Sequence, residues 1–379
     1  MKKKFILLTI IVCLLLVGCG KVKVNNKERK AIEKDPYYKN YLFASEYKSA
    51  IKKVDKMTLE EKVGQIFLVR YDKSIVKKYS DYYPSGYVLF ARDFQDHTKK
   101  SIKKEIDNDQ KMNKYPLIMA VDEEGGYVTR VSRFKAFRDS KFLSNQDYYK
   151  DGGYDKLKEI ETEKAKLLKS IGLNLNLAPV ADVSTNPDDF IYIRSFGKNA
   201  TETSEFIKNM VSYANNNKIG SCLKHFPGYG NNVDTHTGIA IDNRSYEDIS
   251  NNDYLPFKSG IEAKVPSILV SHNVVKSIDP DYPSSLSNKV ITGELRDKLK
   301  FTGIVITDDL AMDAVKAYTE NGEAATLALK AGNDLIITSD FINMYNEVLN
   351  NVKSGIIDEK TLNEAVTRVI AFKEYLELY

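Results

Sequence analysis

Residues 219–238 read Ile-Gly-Ser-Cys-Leu-Lys-His-Phe-Pro-Gly-Tyr-Gly-Asn-Asn-Val-Asp-Thr-His-Thr-Gly. An apolar lead-in ends in a basic pair, Lys224 and His225, and a proline and two glycines then form a turn. Asp234 and His236 stand two positions apart on the loop that follows. A carboxylate can orient an imidazole, which exchanges protons near neutral pH. This stretch therefore predicts a strand whose end carries chemically active side chains.

The same pattern recurs along the chain. Short apolar runs are each followed by polar or turn residues, and amphipathic segments such as 155–170 and 202–216 lie between several of them. The eight runs are 63–69, 86–90, 116–121, 173–180, 221–223, 267–270, 303–306 and 334–337. Strands alternating with helices predict an α/β fold, a single TIM-type (β/α) barrel with some irregular strands. A doubly wound open sheet is the alternative, but no Gly-x-Gly-x-x-Gly follows the first run.

Polar side chains follow six of these runs. They are Arg92, Asp122 to Glu124, Asp182, Lys224 with His225, Ser271 to Asn273, and Thr307 to Asp309. In a parallel barrel these positions converge on the carboxyl-terminal face, where active sites are built. Any one of them has a simpler explanation; Asp309, for example, can cap a helix over 310–316. Six such positions together indicate a functional site.

The N-terminus predicts export. Residues 1–18 have a lysine-rich start and an apolar run too short to span a membrane, as in a lipoprotein signal peptide. The sequence Leu16-Val17-Gly18-Cys19 resembles a bacterial lipobox, in which Cys19 receives the lipid. An ordinary cleaved signal peptide is the alternative. We expect a lipid-anchored protein on the extracytoplasmic face of a bacterial cell membrane.

Charge is unevenly distributed. The chain carries a net charge of +4. We interpret residues 19–56 as the lipidated cysteine, a basic tether and an N-terminal helix. This segment contains 11 Lys and Arg against 5 Asp and Glu. Residues 57–379, the predicted barrel, are therefore net negative, which argues against a nucleic-acid-binding face. The tether either lies near anionic membrane or wall polymer or serves as a solubilising spacer.

These residues resemble the signature of glycoside hydrolase family 3, in its β-N-acetylhexosaminidase branch. The resemblance rests on Lys224-His225-Phe226-Pro227-Gly228-x-Gly followed by Asp234-x-His236. Further segments match in order: 57–65, Asp122-x-Glu124-Gly125-Gly126, Arg194-Ser195-Phe196-Gly197, 303–312 and 331–334. These segments are distributed across nearly the whole of residues 57–379.

The resemblance implies a retaining reaction. Asp308 matches the nucleophile that forms a covalent glycosyl-enzyme, with Asp309 as its rival. His236 matches the general acid/base of this branch, and Asp234 matches the residue that orients it. This histidine departs from the two carboxylates that most glycosidases use.

The resemblance also implies a sugar-binding set. Asp122, Arg130, Arg194, Lys224 and His225 match positions that hold the hydroxyls of the terminal sugar. The alternative for Arg194 is a salt-bridged structural arginine. We expect a glycan substrate, contact with the membrane through the lipid anchor, no cofactor, no metal, no nucleic acid, and a monomer.

Several positions depart from the family pattern. Glu123 replaces a more usual neutral residue, and Tyr127, Tyr229 and the pair Asn231-Asn232 replace an arginine, a histidine and a more acidic pair. Because of these departures, the resemblance does not define which leaving groups the site accepts.

The leading hypothesis is an exo-acting enzyme that releases terminal N-acetylglucosamine from peptidoglycan fragments or chitin oligosaccharides. A β-glucosidase or β-xylosidase of the same family and a sugar-binding lipoprotein with a decayed site are the alternatives. A metal hydrolase using His225, His236 and Asp308 lacks a compact ligand motif such as His-Glu-x-x-His.

Overall fold

A computed structural model describes residues 41–230, 240–319 and 322–379, and its centre is a parallel β-barrel. The strands are β1 (Phe67–Arg70), β2 (Gly86–Leu89), β3 (Ile118–Val121), β4 (Leu175–Asn176), β5 (Gly220–Phe226), β6 (Ile241–Asp242), β7 (Ser267–Val270), β8 (Val274–Val275), β9 (Ile304–Thr307) and β10 (Ile336–Thr338). Eight of them pair in the order β10-β1-β2-β3-β4-β5-β7-β9, and a bridge between Ile306 and Leu335 nearly closes the ring. The predicted TIM-type barrel is confirmed.

The strands are built from short apolar segments that are buried on both faces. In β9, for example, all four residues are buried, and Ile268 of β7 pairs with Val305. Continuous apolar runs are typical of parallel strands, because helices cover the outside of the sheet. β6 and β8 form a separate two-stranded sheet beside the barrel.

Helices surround the barrel. They are α1 (Ala44–Val54), α2 (Leu59–Gly64), α3 (Lys73–Tyr79), α4 (Lys99–Met112), α5 (Asn145–Ser170), α6 (Ala200–Asn216), α7 (Tyr246–Asp248), α8 (Tyr254–Glu262), α9 (Asp313–Lys316), α10 (Ala324–Ala331), α11 (Phe341–Lys353) and α12 (Glu359–Tyr375), with π-helical segments at Ile249–Asp253 and Lys289–Lys298. The amphipathic segments 155–170 and 202–216 lie in α5 and α6, as expected. Within the described ranges, no helix combines the length and the apolar character needed to cross a membrane.

The first apolar run is only partly a strand. We expected a strand over 63–69, but α2 occupies the first part of the run and β1 starts at Phe67. The helix is fixed by Thr58, which accepts the backbone N–H of Glu61 while the Glu61 carboxylate accepts the Thr58 N–H. Such a reciprocal cap stabilises a helix start by about 1 kcal/mol.

The fifth strand is longer than the sequence suggests. We expected a strand over 221–223 with Lys224 and His225 after it, but both residues belong to β5. The pairing of β5 with β7 shifts register between Leu223 and Phe226, and the Lys224–His225 peptide bond is cis. Both side chains reach the carboxyl-terminal end of the barrel, where they line a cavity.

The N-terminal helix α1 packs on the barrel. The ring of Phe43, just before α1, lies 5.6 Å from that of Phe372 in α12, and Lys53 pairs with Glu374 at 2.6 Å. The C-terminal part of the segment read as tether and helix is therefore attached to the barrel. Residues 1–40, with Cys19, lie outside the described residues.

Candidate active site

A cavity of about 380 Å³ opens at the carboxyl-terminal end of the barrel. Its polar lining comprises Arg70, Asp122, Glu124, Tyr127, Arg130, Arg194, Lys224, His225, Asp308 and Asp309. Six of the eight residues predicted for catalysis and sugar binding are among them. The other two, Asp234 and His236, lie outside the described residues.

A buried lysine joins two carboxylates in this cavity. Lys224, only 2 % exposed, places its Nζ 2.6 Å from Asp122 Oδ1 and 2.7 Å from Glu124 Oε1. Arg194 holds the same glutamate with two nitrogens, Nε at 3.1 Å from Oε2 and Nη2 at 2.8 Å from Oε1. Paired Arg–carboxylate contacts of this kind fix orientation as well as charge.

These contacts set the protonation states. Burial alone raises the pKa of Glu124, but attraction to Arg194 and Lys224 outweighs it and holds that pKa far below its ordinary range. Burial lowers the pKa of Lys224, while Asp122 and Glu124 raise it, and the net pKa lies above the ordinary lysine value. The carboxylate and both cations are therefore ionised.

His225 is held in one tautomer. Its Nε2 lies 3.2 Å from Arg194 Nη2, and a guanidinium only donates, so Nε2 accepts. The proton then sits on Nδ1, which donates to Asp182 Oδ2 at 2.7 Å. Asp182 also accepts the backbone N–H groups of His225 and Tyr229, at 3.1 and 2.8 Å. With both ring nitrogens engaged, His225 is unsuited to the metal-ligand role considered from sequence.

Asp308 and Asp309 are adjacent but differently engaged. Asp308 follows β9, and its Oδ1 accepts the N–H of Asp309 at 2.9 Å. The Asp309 carboxylate accepts the backbone N–H groups of Ala311 at 3.0 Å and Ser339 at 3.1 Å, so it ties two loops together. It is not the cap expected for a helix over 310–316, because α9 starts at Asp313 with Met312 before it.

Glu123 holds the loop that carries Arg130. Its buried carboxylate accepts the backbone N–H groups of Arg130 and Val131, both at 2.7 Å, and that of Ser132 at 3.2 Å. The hydroxyl of Ser132 donates to it as well. This departure from the family pattern is therefore structural: the carboxylate faces backbone, not the cavity.

A family model described as "Glycosyl hydrolase family 3 N terminal domain" matches residues 58–372. The chain belongs to glycosyl hydrolase family 3. It is therefore a glycoside hydrolase, and the family resemblance found in the sequence is confirmed.

Relatives of this glycoside hydrolase point to one branch. The chain is 30 % identical over 271 residues to a β-hexosaminidase of Nitrosomonas eutropha, covering 71 % of this chain and 77 % of that protein. It is also 30 % identical over 275 residues to β-hexosaminidase A of Pseudoalteromonas piscicida, covering 68 % of this chain and 46 % of that protein. A family 3 β-N-acetylglucosaminidase structure from Paenibacillus sp. superposes with a TM-score of 0.78 at 26 % identity, covering 85 % of this chain and 63 % of that one. The chain thus spans less than half of the Pseudoalteromonas protein and less than two thirds of the Paenibacillus chain.

Sequence reasoning missed Arg70 in this glycoside hydrolase. Arg70 ends β1 and lines the cavity, stacked 4.5 Å from the ring centroid of Phe90. It immediately follows the first apolar run, so the rule applied to the other runs would have found it. Arg92, which that rule did select, is 54 % exposed and donates to the backbone carbonyl of Tyr71 at 3.3 Å.

Of the two aromatic departures from the family pattern, Tyr127 is in the cavity lining and Tyr229 is not. Tyr127 lines the cavity and is 73 % exposed, while Phe190, also in the lining, stacks at a tilt 5.7 Å from Tyr229. Tyr229 is buried and packs edge-on against His225, with ring centroids 5.4 Å apart. The rings of Tyr127 and Phe190 therefore offer aromatic surface in the cavity beside the charged residues.

Proposed function

We propose that this family 3 glycoside hydrolase is a retaining, exo-acting β-N-acetylhexosaminidase. Its substrates are peptidoglycan fragments or chitin oligosaccharides, from which it releases terminal N-acetylglucosamine. The observation that carries the proposal is the ion-paired array of Asp122, Glu124, Arg194, Lys224 and His225, which lies in one cavity with Asp308. Relatives named β-hexosaminidase at 30 % identity support the choice of sugar.

The proposed binding step uses this array. The carboxylate of Asp122 can accept hydroxyl protons, and Lys224, Arg194 and His225 supply a charged, hydrogen-bonded frame around it. The ion pairs fix the side chains before the substrate arrives, so positioning costs little ordering entropy. A pyranose bound here would present its anomeric carbon to Asp308 in the same cavity.

The proposed chemistry has two steps. An oxygen of Asp308 attacks the anomeric carbon, and the bond to the leaving oxygen breaks as His236 delivers a proton to it. Water then attacks the same carbon, His236 takes a proton from it, and Asp308 leaves as a carboxylate. The roles of His236 and of Asp234, which orients it, rest on the sequence motif.

The proposed setting also rests on the sequence. Cys19 would carry the lipid that anchors a monomeric enzyme to the extracytoplasmic face of a bacterial cell membrane. A wall-facing location would place it beside peptidoglycan.

A panel of 4-nitrophenyl β-glycosides tests the proposal. The N-acetylglucosaminide should have a kcat/KM well above those of the glucoside and xyloside, and NMR should show the β-anomer forming first. Preference for the glucoside or xyloside would favour the family's other enzymes. Binding of N-acetylglucosamine oligosaccharides in calorimetry without any turnover would favour a sugar-binding lipoprotein.

A further inference from the structure

The polar run after β7 was predicted for the functional site, but its side chains lie behind the cavity. Ser271, His272 and Asn273 are all buried, and none of them is among the cavity-lining residues that the structure describes. In the barrel, β7 lies between β5 and β9. Any role of this run in the reaction therefore acts through the residues that it contacts on the two neighbouring strands.

The three side chains divide between those two neighbours. Ser271 and Asn273 donate to backbone carbonyls at or just after the end of β5, each at 3.2 Å. His272 contacts the opposite side, with its Nε2 3.0 Å from the carbonyl oxygen of Asp309. Asp309 stands two residues beyond the end of β9, directly after Asp308. His272 is therefore directed toward the segment that carries the proposed nucleophile.

The contact with Asp309 places a proton on Nε2 of His272. A carbonyl oxygen only accepts, so Nε2 is the donor. The other ring nitrogen, Nδ1, lies 2.7 Å from Oγ of Ser285, whose hydroxyl can rotate to suit its partner. The backbone N–H of Ser285 donates in turn to the carbonyl of Ser271 at 3.0 Å. The imidazole is thus held at both nitrogens, with its Nε2–H pointing at the Asp309 carbonyl.

Asp309 connects this restraint to the nucleophile. Its N–H donates to Asp308 Oδ1 at 2.9 Å, while its carbonyl accepts from His272 and its carboxylate ties two loops together. Backbone pairing of β7 with β9 extends to the Asp308 N–H, which donates to the carbonyl of Val270 at 3.1 Å. The His272 side chain adds a contact one residue further along. The N–H that orients the Asp308 carboxylate and the carbonyl that His272 holds therefore belong to the same residue.

We propose that His272 is a positioning residue for the nucleophile Asp308. Its Nε2–H bond to the Asp309 carbonyl fixes the backbone that orients the Asp308 carboxylate toward the anomeric carbon. Displacing a reacting group by about 1 Å can lower a rate on the order of a hundredfold, so a single hydrogen bond behind the cavity can matter to the reaction. This inference rests on the proposed function, because it requires Asp308 to be the nucleophile.

Two substitutions of nearly equal size test the donor separately from the ring. His272→Gln keeps an N–H donor at the ε position, whereas His272→Met fills a similar volume without one. The substrate is the 4-nitrophenyl β-glycoside that the wild type hydrolyses fastest. His272→Met should lower kcat by roughly ten- to a hundredfold with KM within about threefold of the wild-type value, because the lost interaction acts on the transition state. His272→Gln should keep most of the wild-type kcat, and equal kcat values in the two variants would overturn the proposal.

Covalent trapping measures the attack of the nucleophile directly. A fluorinated analogue of the same sugar, with a leaving group that departs without a proton, labels the enzyme at a rate that does not depend on the general acid. The number of labelled sites also counts the folded, active molecules in each preparation, so kcat can be expressed per active site. Labelling should be slower in His272→Met than in His272→Gln, and equal labelling rates would contradict the positioning role.

A second variant covers the case in which His272→Met does not fold. The amide of His272→Asn can meet Ser285 but is too short to reach the Asp309 carbonyl, so kcat per active site should fall as in His272→Met. A His272→Asn variant as active as His272→Gln would overturn the proposal. His97→Met is the matched control: His97 contacts Ser101 and is not among the described cavity-lining residues, so its kcat should stay at the wild-type value. A loss in this control as large as in His272→Met would also count against the proposal.

The wild type separates failure of this inference from failure of the proposed function. A wild type that hydrolyses no β-glycoside of the panel would refute the proposed function and the inference with it. Trapping at a residue other than Asp308 would likewise refute the nucleophile assignment on which the inference rests. If the wild type is active and Asp308 is labelled, matching kcat values and labelling rates in His272→Gln and His272→Met would refute the role of His272 alone.

Discussion

Replacing Asp308 and Asp309 one at a time by asparagine should show which carboxylate takes part in the reaction and which only holds the structure. We expect Asp308→Asn to abolish turnover and Asp309→Asn to preserve most of it. Asparagine at 308 cannot form the glycosyl ester as a carboxylate does. At 309 the amide oxygen can still accept the N–H groups of Ala311 and Ser339 that the carboxylate holds at 3.0 and 3.1 Å.

The magnitudes follow from these contacts. Loss of the nucleophile should lower kcat on the order of 10⁴-fold or more, about 5.5 kcal/mol at 1.36 kcal/mol per tenfold. Asp309→Ala removes two hydrogen bonds to a charged acceptor, each worth about 1.5–3 kcal/mol before partial exposure is discounted. We expect a loss of about 2–4 kcal/mol in the free energy of unfolding, and a much smaller loss in Asp309→Asn.

The assays are initial rates with 4-nitrophenyl β-N-acetylglucosaminide and urea unfolding of each variant. A fluorinated N-acetylhexosaminide that traps the covalent intermediate should label Asp308, read by peptide mass spectrometry. Labelling at Asp309, or an Asp308→Asn variant as active as Asp309→Asn, would refute the assignment of the nucleophile.

Three further outcomes are expected. His236→Ala should lower the turnover of substrates with poor leaving groups more than that of nitrophenyl glycosides, and azide should restore the breakdown of the glycosyl-enzyme. Equal losses of turnover on both kinds of substrate, without rescue by azide, would assign the acid/base role to another residue. Cys19→Ala should move the protein from the membrane to the soluble fraction, and a wild type that is already soluble contradicts the anchor. Lys373 is buried, with Nζ 2.7 Å from Gln65 Oε1, and burial holds its pKa well below the ordinary value. At pH values between the folded and unfolded pKa of Lys373, the unfolded chain carries a proton that the folded chain lacks, so the free energy of unfolding of the wild type should rise with pH up to about 10.4. In urea titrations between about pH 7 and 9.5, this rise should be smaller in Lys373→Met. The same pH dependence in both proteins would contradict the reasoning.

The barrel could be read from the sequence because its strands are buried on both faces. Each of the eight runs contains or overlaps an observed barrel strand, in the predicted order. The boundaries of the strands were predicted less well than their order. The run at 63–69 joins the buried end of α2 to β1, and apolar character alone does not distinguish a helix end from a strand.

The site could be read only in part. The positions of Asp122, Lys224 and Asp308 directly after apolar runs predicted that they lie together, and all three line one cavity. It could not show how each carboxylate is engaged, because that depends on loops distant in sequence. Asp309, for instance, contacts the backbone of Ser339, thirty residues away, and no local pattern records this contact.

The ion pairs of Glu124 also help to identify the group that protonates the leaving oxygen. A general acid must carry a proton at working pH, and both oxygens of Glu124 contact Arg194 or Lys224. These cations hold its pKa far below the ordinary range despite burial, so it stays ionised. Protonating it would leave two buried cations without their shared anion, which is costly. Glu124 is therefore suited to holding the sugar-binding frame and unsuited to protonating a leaving group. This argument favours the proposed assignment of the general acid to His236, because imidazole is the side chain that ordinarily exchanges protons near neutral pH.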